Sequence, residues 1–333
     1  MLSENCNNGD MPAIEISGLR KRFDEVTAVD GISFSINRGE LFGFLGPNGA
    51  GKTTTINMLT GLARPDSGTV RIGGIDCTGN PRAAQHLIGV VPDESNLYPE
   101  LSGFDNLTFC ASLYGMAKAE RHAQAKKLLG LFGLSEAAKR KFSGYSKGMK
   151  RKLTIAAGII HQPDILFLDE PTTGIDVASA RQIRQLISNL HREGTTIMLT
   201  THYIEEAERL CGRIAFIVEG RIVRIDTVDT LMQPVQGKHI LRFTLDDAPQ
   251  DIGKYINKAF PDIEVITTAR NELRVESPEK LSLAPLVALL DSHGVKITEA
   301  RLLRPSLEDV FVRITGIEAG AMRADKEKKG GAA

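Results

Sequence analysis

Leu41-Phe42-Gly43-Phe44-Leu45-Gly46-Pro47-Asn48-Gly49-Ala50-Gly51-Lys52-Thr53-Thr54 joins an unbroken apolar run to a glycine-rich turn ending in Lys-Thr. The turn satisfies G-x-x-x-x-G-K-T, with a strand-like run before it and a helix-like run, Thr54 to Leu62, after it. Glycines let the backbone turn tightly and aim several N–H groups inward, where the start of the next helix adds positive potential. The segment therefore reads as a cradle for phosphate groups. Gly46, Pro47, Asn48, Gly49, Ala50, Gly51, Lys52, Thr53 and Thr54 are its candidate contacts. Lys52 would reach the β- and γ-phosphates of a nucleotide, and the Thr53 hydroxyl would bind Mg²⁺.

Working outward, short apolar runs alternate with longer helix-like segments from about Ala13 to Met232, the pattern of an α/β domain around a mostly parallel sheet. Leu41 to Leu45 and Ile165 to Leu168 are almost unbroken apolar stretches, as strands covered by helices on both faces are. Leu101 to Gly158 is helical in composition and reads as an insertion. After a Pro/Gln/Gly linker at Met232 to Gly237 a smaller series begins. It reads strand His239 to Leu245, helix Asp251 to Phe260, strands Ile263 to Thr267 and Glu272 to Glu276, helix Leu281 to His293 and strand Lys296 to Leu302. This βαββαβ order is the ferredoxin-like split unit. A last amphipathic helix, Ser306 to Thr315, places Leu307, Val310, Phe311 and Ile314 on one face that packs on a core. The expected layout is thus a disordered start at 1–11, an α/β domain at 12–233 with a helical subdomain at about 100–158, an accessory α+β domain at 238–316, and a disordered tail at 317–333.

Composition narrows the function. Hydrophobic residues make up 42% and charged residues 25% of 333, close to averages for chains that fold in water. Lys and Arg number 41 against 41 Asp and Glu, so the electrostatic footprint of a dedicated nucleic-acid binder is missing and no nucleic-acid partner is expected. No apolar run approaches the roughly 18 to 20 residues that span a bilayer. The polar start, Met1 to Asp10, lacks the apolar core of a secretory signal, which implies a cytoplasmic protein. Cys6, Cys77, Cys110 and Cys211 are scattered without a C-x-x-C pair, as reduced thiols are.

Two further segments carry chemistry. Ile165-Leu166-Phe167-Leu168-Asp169-Glu170 is a buried strand ending in two carboxylates, at the end of a parallel strand where ligands sit in open α/β sheets. Asp169 is placed to hold Mg²⁺, and Glu170 to take a proton from an attacking water. Thr195 to Thr201 is another apolar strand, delivering His202, which can contact a γ-phosphate and report its presence.

With these residues placed, the chain resembles the ATPase subunit of an ABC transporter over about Ile14 to Leu231. The resemblance lies in motif order: phosphate loop, a loop at Val91-Pro92-Asp93, the helical insertion, Tyr145-Ser146-Lys147-Gly148-Met149, Asp169-Glu170, Thr173-Gly174-Ile175-Asp176 and His202. It implies a P-loop NTPase fold of the ABC type that binds ATP with Mg²⁺. It also implies that Phe23 stacks on adenine, and that Asp176 belongs to the short loop at the nucleotide. Ser146 and Gly148 match the serine and glycine of the family's Leu-Ser-Gly-Gly-Gln signature, which bind the γ-phosphate from a helix start. The other three signature positions depart from the family pattern. Asp93 stands where the family has Gln; a carboxylate still offers an oxygen to Mg²⁺ or water, but it is shorter and charged.

The resemblance further implies a head-to-tail dimer with a second copy, each signature completing the other's site. It implies a separate membrane-spanning subunit as partner, with the ATPase peripheral on the cytoplasmic face. The Gly43 to Asn48 wording and Ser306-Leu307-Glu308-Asp309-Val310-Phe311 resemble the branch serving multidrug, lipid or polysaccharide exporters. The competing expectation is a soluble ATPase of the same type acting on ribosomes or DNA. Such proteins show tandem ATPase domains, a long coiled-coil insertion or zinc cysteines, which this sequence lacks. A GTPase is disfavoured because no Asn-Lys-x-Asp motif follows the strands.

Overall fold

The computed structural model describes residues 11–235, 237, 239–246, 251–269, 271–303 and 305–317. The disordered ends expected at 1–11 and 317–333 lie outside these residues, apart from Met11 and Ile317, as does Cys6. The chain divides into two compact units, one running to Val228 and resuming at Ile314, the other spanning Asp229–Arg313.

The first unit opens with a hairpin of β1 (Ile14–Phe23) and β2 (Val26–Ile36), followed by β3 (Leu41–Leu45), α1 (Lys52–Leu59), β4 (Ser67–Ile72), β5 (Ile75–Asp76) and β6 (Ile88–Val91). Helices α2 (Gly103–Leu113), α3 (Lys118–Leu131) and α4 (Lys147–Gly158) come next. Then follow β7 (Ile165–Asp169), α5 (Val177–Arg192), β8 (Thr196–Thr201), α6 (Ile204–Leu210), β9 (Arg213–Val218), β10 (Arg221–Thr227) and, at the boundary, α7 (Val228–Met232). A six-stranded sheet has the order β10-β9-β3-β8-β7-β6, parallel except for β10, which runs antiparallel to β9. Strands β3, β7 and β8 are buried at every position, which is why they read as unbroken apolar runs.

A second sheet, antiparallel and ordered β2-β1-β4-β5, was not anticipated from the sequence. Its strands carry charges on the outer face, as at Glu15, Arg20 and Arg22, so no continuous apolar run marks them. The core lies between the sheets, where Phe34 of β2 stacks on Phe42 and Phe44 of β3 at centroid distances of 5.4 and 5.5 Å. Such ring pairs add about 0.5–1.5 kcal/mol each beyond area burial. The helix after the glycine-rich turn is shorter than expected. It stops at Leu59 because Gly61 takes φ 78°, the left-handed conformation that ends helices cheaply, and Leu62 is exposed.

The second unit holds β11 (His239–Leu245), α8 (Ile252–Ala259), β12 (Glu264–Ala269), β13 (Glu272–Ser277), α9 (Leu283–Ser292), β14 (Ile297–Leu303) and α10 (Leu307–Thr315). All pairings are antiparallel, in the order β12-β13-β11-β14, the ferredoxin-like arrangement. Leu273 and Val275 of β13 join Leu241, Phe243, Ile252, Ile256, Leu286 and Leu290 in a core on one sheet face. Strand alternation sends Arg274 and Glu276 to the other face, where α10 meets them: Arg274 pairs with Glu276 (2.8 Å) and Asp309, and Arg313 with Glu276 (2.7 Å). Asp309 also accepts from the Ser306 N–H at 2.8 Å, fixing the start of α10. Leu307, Val310 and Phe311 are buried as expected, but Ile314 is 40% exposed. The helix face is thus half apolar and half ionic, a division the apolar spacing alone does not reveal.

Candidate functional site

Strand register brings the candidate residues together. Leu45 of β3 pairs with Thr201 of β8, and Thr200 with Asp169 of β7, while Leu168 pairs with Val91 of β6. The carboxyl ends of four adjacent strands are therefore level. Immediately beyond them come Gly46, His202, Glu170 and Pro92-Asp93, residues widely separated in sequence and delivered to one edge of the sheet, where ligands sit in such folds.

The loop from Gly46 to Lys52 is shaped by close approaches. A side chain at Gly46 would collide with the Ile217 carbonyl, and one at Gly51, φ 103°, with the Ala28 carbonyl. A Cβ at Gly49 would meet nothing within 4 Å. Lys52, 5% exposed, donates from Nζ to the carbonyls of Gly46 (2.7 Å) and Pro47 (3.1 Å) and lies 3.4 Å from Glu170 Oε1. Thr53 donates to Asp169 Oδ2 at 2.8 Å, and Thr200 to the other oxygen. Thr54 follows, half-buried in the first turn of α1.

Glu170 sits at the centre. Its φ of 50° lies in the left-handed region, which costs a non-glycine residue about 1–3 kcal/mol and is kept where surroundings enforce it. Its N–H donates to the Thr200 carbonyl at 3.1 Å. Oε2 pairs with His202 Nδ1 at 2.7 Å and accepts from Thr173 Oγ1 at 2.9 Å. Burial would raise this carboxyl, but the His202 hydrogen bond, the Lys52 charge and the Thr173 hydroxyl outweigh it and hold the group below the usual carboxylate range. Asp169 goes the other way: burial raises it despite both threonine hydroxyls, and the neighbouring Glu170 and Asp93 charges add to the rise. The proton affinities of two adjacent carboxylates are thus shifted in opposite directions.

These groups suit a nucleotide and a magnesium ion. The Asn48 amide nitrogen is buried without a hydrogen-bond partner among the described residues, a spare donor in a loop that reads as a phosphate cradle. Among them, too, no cluster of three His, Cys, Asp or Glu side chains forms a metal cage. Magnesium needs none, being held by one or two protein oxygens together with substrate phosphates and water. The Thr53 hydroxyl and Asp169 carboxylate supply that hard-oxygen pair.

Ser146, Gly148 and Asp176 form a second cluster. Ser146 caps α4, accepting from the Met149 N–H at 3.2 Å. Asp176 caps α5, accepting from the Ser179 N–H (2.9 Å) and hydroxyl (2.6 Å). A side chain at Gly148 would fall on the Ser179 hydroxyl and within 3.6 Å of Asp176 Oδ2, so the two helix starts touch. Phe23, at the end of β1, is 49% exposed with Lys21 Nζ 5.2 Å from its ring centre.

Two buried side chains were overlooked in sequence. Arg151, to which the sequence reading gave no role, is 6% exposed and donates to four backbone carbonyls around the site. Its spacing could have shown this: it lies three residues after Gly148 and four before Ile155, on the inner face of α4. Glu206 is 4% exposed and accepts from Thr172 Oγ1 at 2.7 Å, tying the loop after Glu170 to α6.

The family model described as ABC transporter matches residues 29–173. The linearmycin resistance ATP-binding protein LnrL of Bacillus subtilis (strain 168) is 36% identical, covering 91% of this chain and 98% of that protein. This chain belongs to the ABC transporter family. The daunorubicin/doxorubicin resistance ATP-binding protein DrrA of Streptomyces peucetius is 38% identical over 91% of this chain and 92% of its own length. Nod factor export ATP-binding protein I of Ralstonia nicotianae is 36% identical over 93% and 96%. Among solved structures, an ATP-binding subunit of an ABC transporter matches with a TM-score of 0.61 at 28% identity, covering 67% of this chain and 93% of that one. An ATP-binding cassette in a dimeric post-hydrolysis state with ADP and Pi matches at 0.60 and 26%, covering 65% and 98%. The expected P-loop NTPase fold of the ABC type is borne out, and the protein is an ABC-type ATPase that binds ATP and powers transport. No helix among the described residues of this ABC ATPase is long and apolar enough to cross a membrane.

Proposed function

We propose that this ABC ATPase closes on ATP and Mg²⁺ as a head-to-tail pair of identical chains, and that Glu170-assisted hydrolysis reopens it. The output is conformational work on a separate membrane-spanning subunit, at whose cytoplasmic face the ATPase sits. The observation that carries this reading is the meeting of Lys52, Thr53, Asp169, Glu170 and His202 at level strand ends.

Each residue has a role that its contacts allow. Lys52 exchanges its bonds to the Gly46 and Pro47 carbonyls for phosphate oxygens and so draws its charge away from Glu170. Loss of that nearby cation makes Glu170 a stronger base for the proton of the attacking water. His202 holds Oε2 in place, and its ring would bond the γ-phosphate. Thr53 and Asp169 hold magnesium, with Asp93 offering a further oxygen, and the ion supplies charge neutralisation at the phosphates. The loop from Gly46 to Thr54 lines the phosphates, and the Phe23 ring offers a flat surface to adenine. Ser146, Gly148 and Asp176 face the nucleotide held by the other copy. The relatives named for export and drug resistance support export as the direction. The unit at Asp229–Arg313 serves as an accessory domain for dimerisation or regulation.

The test has two arms. Purified chain should bind ATP in a magnesium-dependent way that Lys52→Ala abolishes; equal affinity in parent and variant would sink the site. Pull-down from detergent-solubilised membranes should recover a polytopic subunit. Recovery on ribosomes or DNA instead would move the protein to the soluble alternative.

A further inference from the structure

Among the residues to which the family signature assigns no chemistry, Arg151 makes the densest set of polar contacts at the site. It stands on α4, one turn into the helix that Ser146 caps. Nε donates to the Pro171 carbonyl at 2.9 Å and Nη2 to the Asp169 carbonyl at 2.6 Å. These are the carbonyls on either side of Glu170. The fork therefore grips the backbone before and after the one residue of this turn that is held at φ 50°. The remaining nitrogen, Nη1, donates to the carbonyls of Pro92 and Asp93 (3.0 Å to the latter), in the loop that follows β6.

Only a guanidinium can make this pattern. It offers five N–H donors in a rigid planar fork, whereas a lysine ammonium is a point charge with three. Each of these four acceptors is a main-chain oxygen, so these bonds of the side chain fix the backbone that carries the nearby carboxylates. Its charge is nonetheless felt by them, Asp93 first, then Asp169, Glu170 and Glu206. Asp93 replaces a neutral family residue beside a buried cation, which offsets the cost of that extra negative charge.

We infer that Arg151 is the positioning residue of the hydrolytic centre: it holds Glu170 in its left-handed turn and ties that turn to the Asp93 loop, so that both move with α4. This rests on the reading of Glu170 as the base. Because the fork leaves the Lys52 cradle untouched, its loss should separate binding from chemistry. A merely structural arginine would not make that separation.

The experiment uses the full chain with Arg151→Met and Arg151→Lys. We expect Arg151→Met to keep KM for ATP within about threefold while kcat falls at least about tenfold, as for displacement of a proton-transfer group. Arg151→Lys should fall between it and the parent. Hydrogen exchange with magnesium and a non-hydrolysable ATP analogue should show protection at 46–55 in all three proteins. Protection at 91–97 should be present in the parent and lost in Arg151→Met. If Arg151→Met does not accumulate as folded protein, Arg151→Lys carries the test. Parent values of both kcat and loop protection in a folded variant overturn the positioning role alone. A parent that neither binds nor hydrolyses ATP would overturn the underlying reading of the site as well.

Discussion

Gly148→Ala isolates the contact between the starts of α4 and α5. The new Cβ would fall on the Ser179 hydroxyl and lie 2.8 Å from Ser179 Cβ, with Asp176 Oδ2 at 3.6 Å. Gly148 sits within α4 and needs no left-handed conformation, so the loss is steric, opposed only by the small gain alanine brings to a helix start. The hydroxyl can rotate away, giving up its 2.6 Å bond to Asp176. Ser179 Cβ cannot move unless α5 shifts by a few tenths of an ångström. Overpacking of this kind costs about 1–3 kcal/mol, and each kcal/mol lowers Tm by about 2–4 °C in a domain of this size. A fall of about 2–12 °C is expected in thermal unfolding followed by circular dichroism. Ser179→Gly alone weakens the α5 start by about 1 kcal/mol, as glycine does in a helix. On that background Gly148→Ala should cost less than about 0.5 kcal/mol, leaving a coupling of roughly 1–2 kcal/mol in the double-mutant cycle. ATP turnover should drop in Gly148→Ala and recover in the pair, because alanine retains the N–H. Additive losses in the cycle would refute the steric argument, and with it the close seating of the two helix starts.

Three other outcomes follow from the same geometry. Glu170→Gln keeps an acceptor for His202 and Thr173 but no base; steady-state kcat should fall about 10²–10⁴-fold with ATP affinity within a fewfold of the parent, and undiminished turnover would remove Glu170 from its role. Burial, opposed by the Thr172 and Thr201 hydroxyls, raises the Glu206 carboxyl above its usual 4.5, so the native state keeps this proton longer than the unfolded chain and stability falls as pH rises past that value. Glu206→Gln should thus raise Tm over the parent at about pH 8 and lose that gain near pH 4.5; a gain that grows on acidification contradicts the sign. Glu276→Ala leaves Arg274 and Arg313 without their shared buried carboxylate, which should cost the second unit about 3–5 kcal/mol, read as faster hydrogen exchange at 239–303 with exchange at 41–59 unchanged.

Much of this was legible in the order of residues. Glycine spacing and a terminal Lys-Thr after an apolar run define a phosphate loop through local turn chemistry, and β3 appears where Leu41 to Leu45 were read. The βαββαβ series of the second unit was legible because its strands and helices alternate with distinct periods. The sheet of β1, β2, β4 and β5 was not, since charge on its outer face breaks up the apolar signal. Nor was the ionic half of α10, because Asp309 and Arg313 find Arg274 and Glu276 across 35 and 37 positions.

The amino-acid sequence alone determined which groups could meet a nucleotide, because residue type and local spacing set what a turn or strand end offers chemically. Only the tertiary structure decided that Leu45 lies level with Thr201 and Asp169 with Thr200, that Glu170 is held in a left-handed turn, and that Arg151 grips the carbonyls beside it. Those facts depend on pairing between segments well separated along the chain for the strands, and on burial that forces a guanidinium to find its acceptors. Neither leaves a periodic trace along the chain.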